Sequence, residues 1–83
     1  MNCRKRYVEV IAHYDPDGRI RPLAIYWPEN GEMYEIDRVM DVRPAASLKA
    51  GGAGIRYTCK IQGKETYIWL EETRWFVEEK IAG

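Results

Sequence analysis

The stretch from Gly54 to Leu70, GIRYTCKIQGKETYIWL, constrains this chain more than any other. Ile55, Tyr57, Cys59 and Ile61 alternate with Arg56, Thr58, Lys60 and Gln62, the period-two pattern of a half-buried strand. Gly63-Lys64 then supplies a turn, with glycine at the first central position of a two-residue II′ type. The chain returns with Thr66, Ile68 and Leu70 on one side and Tyr67 and Trp69 on the other. A hairpin of this kind buries one face only against further strands, so the rest of the chain must supply them.

Upstream, Tyr7–Tyr14 reads as a first strand, with Val8, Val10, Ala12 and Tyr14 on one face and Glu9 and His13 on the other. Asp15-Pro16-Asp17-Gly18 has type I turn chemistry. Arg19–Trp27 is a second strand with Leu23, Ile25 and Trp27 inward; Pro22 cannot donate to a ladder, which predicts a free edge or a bulge beside it. Pro28-Glu29-Asn30-Gly31 is a second turn. Glu32–Arg43 continues extended, but its apolar phase slips between Ile36 and Val39 and again before Met40 and Val42. The slip predicts a bulge or corner near Asp37-Arg38.

Pro44–Ala50 carries helical chemistry, with Pro at a first helical position and Gly51 closing one or two turns. Gly51-Gly52-Ala53-Gly54 is expected to be a flexible connector. Arg74–Lys80, with Trp75, Phe76 and Val77, reads as a sixth strand. Thr73 as a cap and Gly83 beyond the end leave open a short helix to Ala82. The polar, basic Met1–Arg6 segment is expected to be a disordered tail.

Apolar residues occur on both faces of several strands, which a flat sheet with one wet face does not need. The 83 residues are therefore expected to form one all-β domain. Its architecture is a six-stranded antiparallel meander closing into a partly open SH3-like barrel, with one short helical turn between strands three and four. A chain this short buries only about 60% of its unfolded surface, so its ten aromatic residues matter to the core. In size and strand rhythm the chain resembles the small bacterial β-domains built from SH3-like meanders. The resemblance rests on no diagnostic motif and carries no functional residues over.

Composition narrows function mainly by exclusion. Thirteen basic and thirteen acidic residues cancel, so no global field draws the chain to nucleic acid or an anionic membrane. No run approaches the roughly 18 apolar residues of a membrane helix, and the N-terminus lacks a secretory h-region, which points to the cytoplasm. Cys3 and Cys59 form neither a zinc pattern nor a disulfide framework. His13 is the only histidine and has no ligand-spaced neighbours. A Ser47–His13–Asp triad lacks any nucleophile elbow, and the glycine run lacks phosphate-loop spacing. Glu35, Asp37 and Asp41 alternate along one strand and read more simply as a solvated edge than as a cation site.

Two surfaces remain. Tyr67, Trp69 and Trp75, if they share an outer face, form an aromatic patch suited to a protein partner or a second copy. Lys49, Arg56 and Lys60 lie in a segment without acidic residues beside the same aromatics, a pattern suited to stacking and phosphate contacts with single-stranded nucleic acid. The expectation is a non-enzymatic binding module for protein interaction or self-association, with weak single-stranded nucleic-acid binding as the alternative. No cofactor, metal, membrane or small-molecule substrate is implied.

Overall fold

A computed structural model of the chain describes residues 3–81. Seven strands follow one another: β1 (Cys3–Tyr14), β2 (Ile20–Tyr26), β3 (Met33–Glu35), β4 (Arg38–Ser47), β5 (Gly52–Ile61), β6 (Lys64–Glu71) and β7 (Arg74–Lys80). All pair antiparallel in one sheet of order β3-β2-β1-β7-β6-β5-β4. The all-β expectation holds. The count rises from six to seven because Glu32–Arg43 is not one strand.

The break falls at Ile36-Asp37, beside the predicted corner. β3 and β4 are consecutive in sequence yet lie at opposite edges of the sheet. The crossing between them is tied to both sides: the Ile36 amide donates to the Leu23 carbonyl of β2 (2.9 Å) and the Asp37 amide to the Lys60 carbonyl of β5 (2.8 Å). Two backbone bonds thus hold β2 and β5 towards each other and curl the sheet into a half-barrel. The curl encloses Ile25, Tyr57, Cys59, Ile68, Leu70, Trp75 and Val77. Val8, Val10 and Ala12 of β1 pack against this cluster, whereas Tyr14, the last residue before the turn, is exposed.

A second apolar layer lies on the other side of the sheet. Trp69 and Phe76, cross-strand neighbours on β6 and β7, stack face to face at 5.3 Å and 3°. They are 1% and 0% exposed, and the distal end of the β4–β5 hairpin lies against the Phe76 ring at Gly52. The hairpin is held down at its tip, where the Ser47 hydroxyl donates to Glu78 Oε2 of β7 (2.7 Å). Glycine is required under this flap. A Cβ on Gly54 would lie 2.5 Å from the Leu70 carbonyl oxygen, and one on Gly52 would lie 2.7 Å from the Phe76 ring. The glycine run is therefore a strand in close contact, not a flexible connector.

Three further expectations are corrected. Pro44–Ala50 is not helical: Pro44–Ser47 belong to β4, and Leu48–Gly51 form a turn closed by the Gly51 amide on the Ser47 carbonyl (2.8 Å). Pro44 is tolerated because β4 is an edge strand. The basic N-terminal segment is ordered from Cys3, since Cys3–Arg6 pair with Val77–Lys80 and Arg4 and Arg6 both bind Glu79; Met1 and Asn2 lie outside the described residues. The bulge near Pro22 is present, with Leu23 as the extra residue between the Ile11–Ala24 and Ala12–Pro22 pairs. That insertion turns Leu23 outward (40% exposed) and buries Pro22, against the inward assignment of Leu23. Arg74–Lys80 is a strand.

The β5–β6 turn also differs in type. Ile61 pairs with Lys64, which leaves Gln62-Gly63 at the centre with φ of 50° and 76°. Positive φ at both positions is a type I′ turn, for which Asn-Gly is the favoured pair. Gln62→Asn is expected to raise stability by about 0.5 kcal/mol, since asparagine tolerates the left-handed region better than glutamine. The check is a higher urea midpoint with unchanged slope.

Candidate interaction edge and cleft

The aromatic face expected from the sequence does not form. Trp75 points into the half-barrel against Tyr57 (centroids 5.1 Å) and is 6% exposed. Trp69 lies on the opposite face, stacked on Phe76, and is 1% exposed. Only Tyr67 of the three is open to solvent, at 41%. The wrong expectation came from parity. Leu70 pairs with Trp75, so Trp75 shares the inner side with Leu70, while Trp69 pairs with Phe76.

The basic residues are dispersed. Arg56 is half-buried with its guanidinium 4.7 Å from the Tyr67 ring centroid, and its Nε is a buried donor with no acceptor among the described residues. Lys60 stands opposite Glu65 on β6 and Arg38 on β4. Lys49 sits in the exposed turn at the tip of the β4–β5 hairpin. Glu71 is held elsewhere, by Lys5 Nζ (2.8 Å) and the Tyr7 hydroxyl (2.6 Å), and these bonds keep its carboxyl below the usual range. Among the described residues no three His, Cys, Asp or Glu side chains converge as metal ligands, and no helix is long and apolar enough to cross a membrane. Cys3 and Cys59 are both free thiols, and burial pushes that of Cys59 up to about 11.

The structure shows a different candidate where the half-barrel stays open. Nine of the ten residues of β4 pair with β5 on one side; among the described residues no strand pairs with the other side. Facing this edge is the start of β2, positioned by the turn before it. Asp15 Oδ1 accepts from the amides of Asp17 and Arg19 (both 2.9 Å), and the Arg19 side chain returns to Asp15 (3.3 Å) and Asp17 (3.2 Å). Tyr57 spans the gap, its hydroxyl donating to the Ile20 carbonyl (2.6 Å). Burial pushes the Tyr57 phenol upward.

Between these walls lies a cleft of about 560 Å³. Val39, Val42, Ile55, Tyr57 and Leu70 make its floor, and His13, Arg19 and Arg21 stand at its rim. Its volume is typical of binding clefts, which are apolar with a few polar groups at the margin. Along β4 itself, Met40 is an extra residue between the Val39–Cys59 and Asp41–Thr58 pairs. That bulge leaves Met40 37% and Val42 51% exposed. Asp41 and Arg43 flank Val42 and form a bidentate pair (2.7 and 3.1 Å), which lowers the Asp41 carboxyl and raises the Arg43 guanidinium. The row Glu35, Asp37 and Asp41 is broken by the crossing and by this bulge.

Sequence reasoning missed the cleft because its walls come from segments far apart in the chain. The signal that pointed to it was the repeated slip of apolar phase around Val39, Met40 and Val42. No family model matches the chain, no curated protein matches it, and no solved structure matches it.

Proposed function

We propose that this protein is a non-catalytic protein-interaction module that captures an extended segment along the free edge of β4. The observation that carries the reading is the juxtaposition of an unpaired ten-residue strand edge with an apolar cleft whose floor includes Val42. An unpaired edge is a row of backbone donors and acceptors, and an added strand satisfies them. Main-chain bonds supply the affinity of such docking, and a pocket for alternate side chains supplies its specificity. The cleft gives one apolar side chain of the partner a place beside Val39 and Tyr57. A reducing, cytoplasmic setting suits two cysteines that are not bridged.

Single-stranded nucleic acid has less support as the ligand. Its stacking platform reduces to Tyr67, already covered on one side by Arg56, and the net charge is zero.

The test is selection from a phage-displayed random peptide library on the intact protein and on Val42→Asp. The reading expects enriched peptides with alternating apolar residues that bind the parent and lose binding to the variant. Absence of enrichment, or peptides indifferent to Val42→Asp, overturns it.

A further inference from the structure

We infer that the segment β4 accepts is β4 of a second copy of this chain, laid antiparallel about a two-fold axis through Val42. This rests on the edge-docking reading above and names its partner. The edge is self-complementary about that point. Antiparallel pairing centred on Val42 sets Asp41 opposite Arg43 of the second copy, Arg43 opposite its Asp41, and Val42 opposite its Val42. Directly opposed residues on one face of an antiparallel pair have Cβ atoms about 5 Å apart, within reach of an ion pair.

Asp41 and Arg43 already sit together on one face of the strand, at 2.7 Å within the chain. Pairing therefore exchanges a partner for an identical one and leaves neither charge uncompensated. Val42, 51% exposed, is on the cleft side and meets its own counterpart there, over Val39 and Ile55. Exposed Met40 falls opposite Pro44 of the copy. Pro44 has no amide to donate, so it loses only one bond in the new ladder. Any other register by an even number of residues opposes Asp41 or Arg43 to an uncharged or like-charged residue, so this arrangement specifies one dimer. The same patch serves both copies, as a two-fold interface requires.

The test is sedimentation velocity over a concentration series with charge exchanges. The intact chain is expected to dimerise. Asp41→Arg and Arg43→Asp each place two like-charged pairs across the axis and are expected to weaken association by about tenfold or more. Mixing the two variants in equal amounts restores opposite charges at both positions, so a heterodimer is expected. The double exchange, D41R/R43D, should dimerise like the parent, which keeps the test decisive if a single variant misfolds by circular dichroism. A parent that stays monomeric at millimolar concentration overturns the proposal, as do variants that associate normally or a mixture that does not recover. Peptide capture by a strictly monomeric chain would overturn self-pairing while leaving edge docking intact; loss of both would remove the underlying reading as well.

Discussion

Phe76→Ala is expected to lower the unfolding free energy by about 3–5 kcal/mol. Phe76 is fully buried, stacked on Trp69, met edge-on by Tyr7 (6.1 Å) and covered by the Lys5 side chain, whose Nζ is 5.0 Å from the ring centroid. Truncating a buried phenylalanine costs about 3–5 kcal/mol. A domain of 83 residues has roughly 4–12 kcal/mol in total, so the loss takes much of what there is. Urea denaturation followed by far-ultraviolet circular dichroism checks it. The contrast is Tyr67→Ala: Tyr67 lies on the same side of the sheet but exposed, and its removal should cost less than about 1 kcal/mol. Were Trp69 and Phe76 an open recognition surface rather than a second core layer, the two variants would be equally stable.

Gly54→Ala should also destabilise, for a different reason. The new methyl would meet the carbonyl oxygen of Leu70, a backbone atom in the middle of the sheet that cannot turn aside. Overpacking of this kind costs about 1–3 kcal/mol. Here relief requires β5 to lift from β6, and with it the flap against Phe76, on which Trp69 is stacked. The expected result is a lower urea midpoint together with increased quenching of tryptophan fluorescence by acrylamide. Gly52→Ala should be milder, since one of the two groups it meets is the flexible arm of Lys5. Equal costs at the two glycines would argue against the flap as described.

How far the sequence revealed this fold depends on whether each signal was local. Strict alternation marked β5 and β6, and proline-glycine turns marked the β1–β2 and β2–β3 hairpins, because those patterns act over a few residues. The bend between β3 and β4 was visible as a slip of phase near Asp37. Its consequence, a crossing tied to Leu23 and Lys60, was not, since those partners are remote in sequence. Pro44–Ala50 misled because alanine and leucine favour helix intrinsically; pairing of Pro44 with Ile55 and of Ser47 with Gly52 overrode a weak local preference. The glycine run read as flexible because composition cannot distinguish a loose loop from a strand pressed against a neighbour.

The same limit governed the site. Tyr67, Trp69 and Trp75 are conspicuous aromatic residues in the sequence, but which face each occupies depends on register, and a sheet with two covered faces buries both parities. The β4 edge and the cleft beside it draw on Val39, Val42, Ile55, Tyr57 and the turn before β2. Only the curl of the sheet brings these together. What the sequence did hold was the Asp41-Val42-Arg43 triplet, unremarkable until β4 is seen to be unpaired on one side.

The central claim is that β4 presents a free edge while β6 and β7 are enclosed. Amide hydrogen exchange resolved by residue tests it most directly, in solution dilute enough to keep the chain monomeric. The account predicts slow exchange throughout β6 and β7, and fast exchange at those β4 amides not bonded to β5. Uniform protection along β4, equal to that of β6 under the same conditions, would contradict it, because it would mean that the edge is already covered.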